Sequence, residues 1–73
     1  MRKPTIHFAS MKQTGNIYWI MGAVRDALLK QRRISEWNDL YQEILNSGSY
    51  EEALGKINKL VHLIDDDGVY ELD

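Results

Sequence analysis

The sequence predicts an α+β domain: a compact three-helix unit with short N- and C-terminal strands pairing as a two-stranded ribbon, in the order β-α-α-α-β. Three observations predict it. Apolar residues recur at helical spacing in three successive segments. Short alternating stretches, Thr5–Phe8 and Val69–Leu72, lie toward the two ends. Turn signals fall between these segments, and no repeat, low-complexity tract or linker divides residues 1–73 into more than one domain.

Thr5-Ile6-His7-Phe8 alternates polar and apolar after Pro4, which predicts a strand with Ile6 and Phe8 inward. Thr14 and Asn16 are alternative caps for a first helix over about 16–32. Ile17, Ile20, Met21, Val24 and Leu28 share one face of it, and Tyr18, Gly22 and Leu29 form a second strip. A helix apolar on more than one side is predicted to be central. Ser35 is the predicted cap of a second helix, about 36–46, whose apolar face is Trp37, Leu40, Tyr41, Ile44 and Leu45. Gly48 suits a left-handed stop. Ser49-Tyr50-Glu51-Glu52 is a capping box opening a third helix, about 50–64, that buries Ala53, Leu54, Ile57, Leu60, Val61 and Ile64. Asp65-Asp66-Asp67-Gly68 is a turn into the final strand. An isolated strand of this length is unstable, so the terminal strands are predicted to pair over helix 1.

Charge is divided along the chain. Residues 1–33 carry seven Lys and Arg against one acid, and residues 34–73 carry two against ten, within a net charge of −2. Such a division steers an anionic partner to one face, pairs copies, or is neutralised inside one fold. There is no Cys, hence no disulfide and no thiol nucleophile. No apolar run reaches the ~20 residues of a membrane span, and the basic N-terminus lacks the apolar core of a secretory signal. A cytoplasmic protein with no membrane association and no cofactor is the expectation.

No constellation supports an enzyme. His7 and His62 belong to no motif and read as surface or structural histidines. The Asp65–Gly68 run fails the calcium-loop pattern: with Gly68 at position 6, position 1 is Leu63. Three acids after a helix C-terminus oppose its dipole, which asks for a basic neighbour. Lys30-Gln31-Arg32-Arg33 closes helix 1. Cations there satisfy the last carbonyls and the dipole. Alternatively Lys30, Arg32 and Arg33, joined by Lys12, Arg25 or Arg2-Lys3, form a phosphate-binding patch, although an isoelectric point near 5.6 is low for a nucleic-acid binder.

Trp19 lies on the polar side of helix 1 with Ala23, Asp26 and Lys30. Coverage by a strand or the N-terminal connection is expected, since Trp is rarely bare; if exposed, it is a protein-binding anchor. Gly22, in mid-helix, costs about 1 kcal/mol relative to Ala, and a close backbone approach is the usual compensation. Glu36, Asp39 and Glu43 form an acidic strip that is either solvated or meets the basic end of helix 1 in another copy.

The stretch from Gly15 to Leu28, GNIYWIMGAVRDAL, and Ser47 to Leu54, SGSYEEAL, together resemble small proteins of bacteriophages and mobile elements that carry a G-N-x-x-x-I-M-G helix and an S-G-x-Y turn. The resemblance spans residues 15–64 and brings no activity or catalytic residue with it. It implies a small accessory protein that binds rather than transforms, as phage proteins that block host systems do.

The reading is therefore a non-catalytic protein acting through a protein partner and forming a homo-oligomer, with Trp19, Gly22 and Lys30 as partner-binding residues. The alternative is a nucleic-acid or nucleotide-binding module using Lys12, Arg25, Lys30, Arg32 and Arg33.

Overall fold

A computed structural model describes residues 3–72. The fold is α+β, with helices α1 (Ile17–Lys30), α2 (Ile34–Leu45) and α3 (Tyr50–Ile57) between strands β1 (Thr5–Phe8) and β2 (His62–Asp65). A turn of 3-10 helix, Gln13–Gly15, leads into α1.

The strands pair in parallel, with Thr5 opposite His62 and Phe8 opposite Asp65. A parallel pair needs a long crossover, and the three helices supply it. His62 N–H donates to the Pro4 carbonyl at 2.7 Å and Asp66 N–H to the Phe8 carbonyl at 2.7 Å, closing both ends of the pair. Ile6, Phe8 and Leu63 turn inward onto Ile20, Val24 and Leu28 of α1, Leu40 of α2, and Leu54 and Ile57 of α3. α1 packs against both α2 and β1, and α2 packs against α3.

The second strand lies earlier than the sequence predicts. α3 stops at Ile57, and residues 62–64, read as its last turn, are extended together with Asp65. Ile57, Leu60, Val61 and Ile64 fit a helix, but Val61, Leu63 and Asp65 also alternate, and the alternation wins: those three are buried while Leu60 and Ile64 are only half-buried. Asn58 makes the switch. Its side chain accepts from Leu63 N–H at 3.0 Å and donates to the Leu72 carbonyl at 2.9 Å, offering the backbone a non-helical set of bonds. Residues 69–72 form no strand. They return beside β2 instead, held by that Asn58 bond and by Asp65.

Other termini divide between the expected and the corrected. Asn16 caps α1, accepting from Tyr18 N–H at 2.8 Å, while Thr14 accepts from Ala9 N–H. Ser49 caps α3, accepting from Glu52 N–H. Glu52 reaches back one residue further than expected, to Gly48 N–H at 2.6 Å. Ser35 does not cap α2; the N-cap position is Arg33, which offers no side-chain acceptor. Gly48 is not left-handed. Among the described residues, only Arg32 (φ 58°) and Gly68 (φ 69°) have positive φ. Arg32 ends α1 in a Schellman motif: Arg33 N–H donates to the Leu28 carbonyl at 2.8 Å and Arg32 N–H to that of Leu29 at 3.0 Å.

Candidate functional site

Helix periodicity places Tyr18, Trp19, Gly22, Arg25 and Asp26 on the side of α1 opposite its buried line of Ile20, Val24 and Leu28. Among the described residues, no other element covers that side. Tyr18 is 78% exposed and Trp19 43%, so the expectations that Tyr18 joins an apolar packing strip and that Trp19 is covered are both overturned. No strand reaches them, because the sheet lies against the inner face of α1.

Gly22 is equally open. A Cβ built there meets no atom within 4 Å, so no backbone element of this chain packs closely upon it. Tyr18, Trp19, Gly22, Ala23 and Asp26 line a shallow notch above the helix. Lys30 is exposed on the same strip as Trp19, about 16 Å further along the axis at 1.5 Å per residue.

Tyr18 also borders a larger groove of about 530 Å³, lined by Met21 of α1, Tyr41, Ile44 and Leu45 of α2, and Tyr50 of α3. Tyr41 is 38% and Leu45 59% exposed, although both were expected in the core. The signal was the width of the apolar face of α2. Its five residues spread over about 140° of helix circumference, more than the ~100° stripe one contact layer buries. Trp37, Leu40 and Ile44 fill the core, and Tyr41 and Leu45 are left at the edge. Tyr41 still packs its ring against Trp37, at 5.7 Å between centroids. Tyr50 closes the groove floor, donating its hydroxyl to the Gly15 carbonyl at 2.6 Å. Burial, reinforced by Tyr70 and Asp65, pushes that phenol above its ordinary pKa.

The basic residues do not converge. Arg33 folds back on its own helix: Nε and an Nη donate to the two Glu36 carboxylate oxygens at 2.6 and 2.9 Å, and the other Nη donates to Gln31 at 2.8 Å. Only 10% of that side chain is exposed. The hydrogen-bonded pair raises the Arg33 pKa and lowers that of Glu36, so this part of the acidic strip is neutralised within the chain. Lys12 precedes α1, at the opposite end of that helix from Arg32, and pairs with Asp67 at 3.5 Å. Arg25 is 4.0 Å from Asp26. Lys3 donates to the Asn58 carbonyl, and Arg2 lies outside the described residues. Lys30 and Arg32 are left exposed at the end of α1.

The acidic run after β2 is a structural knot. Asp65 is buried and accepts five hydrogen bonds: from Ser10 N–H and Oγ, and from the N–H groups of Asp67, Val69 and Tyr70. Burial opposes its ionisation, but these donors outweigh burial and hold its pKa far below the usual carboxylate range. His7 Nδ1–H donates to Asp66 at 2.8 Å, and Met11 N–H donates to Asp67 at 2.8 Å. Each acid therefore takes at least one partner from residues 7–12. The run follows a strand rather than a helix, so no dipole opposes it. His62 lies on β2, not on a helix. Among the described residues no cluster of three His, Asp or Glu is placed to hold a metal ion. Among the described residues, no helix is long and apolar enough to cross a membrane.

No family model, no curated protein and no solved structure matches this chain.

Proposed function

We propose that this chain is a non-catalytic, cytoplasmic binding protein that engages a protein partner through the outer side of α1, with Trp19 as anchor, Gly22 as the notch beside it and Lys30 as a flanking charge. The observation that carries this reading is the pair of adjacent exposed aromatics, Tyr18 and Trp19, beside an open glycine. Large aromatics next to concave apolar surface are the groups that dominate protein–protein binding energy. The resemblance to phage and mobile-element proteins gives a host protein as the partner class, and self-association belongs to the same reading.

Affinity capture with the tagged chain tests it. Trp19→Ala should lose the captured protein while its thermal melt stays unchanged, because Trp19 contributes to no core contact. Retention of the same protein by Trp19→Ala would defeat the proposal. Micromolar binding of a nucleic acid at low salt, weakened by Lys30→Gln and Arg32→Gln together, would favour the phosphate alternative instead.

A further inference from the structure

The exposed side of α1 has an internal order that a general docking surface does not need. Taking Gly22 as origin, Tyr18 and Trp19 stand four and three residues before it, and Arg25 and Asp26 three and four residues after it. In an α-helix these are the positions that share a face with Gly22. Aromatic groups thus flank the glycine on one side and a cation and an anion on the other. All four side chains are exposed. Arg25 and Asp26 touch each other only at the 4.0 Å limit of an ion pair, so neither is committed within the chain.

A twofold axis through Gly22, perpendicular to α1, reverses that order. The axis keeps each side of this face on its own side, so residues 18 and 25, which share one side, meet across the contact, and so do residues 19 and 26. Arg25 comes to lie over the Tyr18 ring of the other copy, a guanidinium on an aromatic face. Asp26 comes to lie beside the Trp19 indole N–H of the other copy, an acceptor beside a donor. Both pairings occur twice. An isologous contact requires such self-complementarity, and most surfaces lack it. At the axis glycine meets glycine, and the absent Cβ atoms let the two helices approach closely.

We infer that a second copy of this chain is the occupant of the notch, docking α1 against α1 in antiparallel fashion across Gly22. The inference rests on the binding role proposed for this face and names its partner. The contact is limited to one helix from each copy, so the dimer is concentration-dependent rather than permanent.

The chain contains no cysteine, which permits a direct test. Gly22→Cys puts one thiol beside the axis, and Glu51→Cys puts one on the exposed face of α3. Mild oxidation should convert Gly22→Cys to a disulfide-linked dimer at least tenfold faster than Glu51→Cys, because only the former brings two Cβ atoms within disulfide reach. Sedimentation of the unaltered chain should pass from monomer to dimer between micromolar and millimolar loading. Gly22→Leu should remain monomeric at both, while folding normally, because position 22 is exposed and a Cβ there meets nothing within 4 Å. Equal oxidation rates for the two cysteine variants, a monomer at millimolar loading, or a Gly22→Leu dimer would each overturn the inference. A monomeric wild type that still loses a captured protein on Trp19→Ala would refute the dimer and leave the broader binding role standing.

Discussion

Asp65 shows how much one side chain holds in a chain this small. A buried carboxylate with five donors ties the connection after β1 to the turn after β2 and to the returning C-terminal segment. Its pKa is lowered on folding, so below about pH 4 the unfolded chain takes up the proton before the native chain does. Stability is then lost progressively as pH falls toward the folded value, and the contribution is complete above about pH 4. Asp65→Asn would turn one acceptor oxygen into an amide facing donors. The change should cost about 3 kcal/mol at neutral pH and flatten the acid limb. Urea midpoints at pH 7 and pH 2.5 decide the matter; equal acid losses in wild type and variant would remove Asp65 from this role. Gly15 is the second such position. A Cβ there would sit 2.5 Å from the Ser10 carbonyl oxygen and 2.6 Å from that of Ala9, both backbone atoms that cannot swing aside. Gly15→Ala should therefore destabilise by about 2–3 kcal/mol, and a midpoint within error of wild type would contradict the close approach.

At the scale of elements, α1 carries two unfavourable choices that structure explains differently. Its left-handed terminal residue is Arg32, where glycine is usual. Arg32→Gly should raise stability by about 0.5–1 kcal/mol by relieving the Cβ clash, and a calorimetric melt that falls would argue against it. Gly22 has open space above it, so Gly22→Ala should add about 1 kcal/mol from helix propensity, read at a loading low enough to keep the chain monomeric. Gly22 lies within an element whose extent was well predicted, as were α2 and the start of α3, and Arg32 lies two residues past its end. Capping signals and strict apolar spacing are local, and they specify a helix without reference to the rest of the molecule. The end of α3 was not legible for the opposite reason. Residues 57–64 satisfy two periods at once, and the choice is made by Asn58 reaching Leu63 and Leu72, a bond that exists only once the chain has folded back. The candidate site was half legible. Trp19 and Gly22 stood out as anomalies in a helix pattern, whereas Tyr18, Tyr41 and Leu45 looked like core because spacing does not say how many layers a small fold has to cover them.

At the scale of the whole molecule, one core serves every element. Trp37 stands in it, buried and ring-packed on Tyr41. Trp37→Ala should lose about 3–5 kcal/mol, a large share of the few kcal/mol a domain of this size holds, and leave much of the population unfolded at 37 °C. An unchanged denaturant midpoint would show that the core does not depend on it.

The parallel pairing of β1 with β2 also sets an order of events during synthesis. Ile6 and Phe8 leave the ribosome early but have no strand beside them until His62–Asp65 have been made. Ser10 and His7 wait equally for Asp65 and Asp66. The helices between are free to form as they emerge, yet the face of α1 that β1 and β2 cover stays wet until β2 arrives. A nascent chain halted anywhere before residue 62 therefore carries an unprotected apolar strand, and the native fold is acquired only once residues 62–65 have emerged.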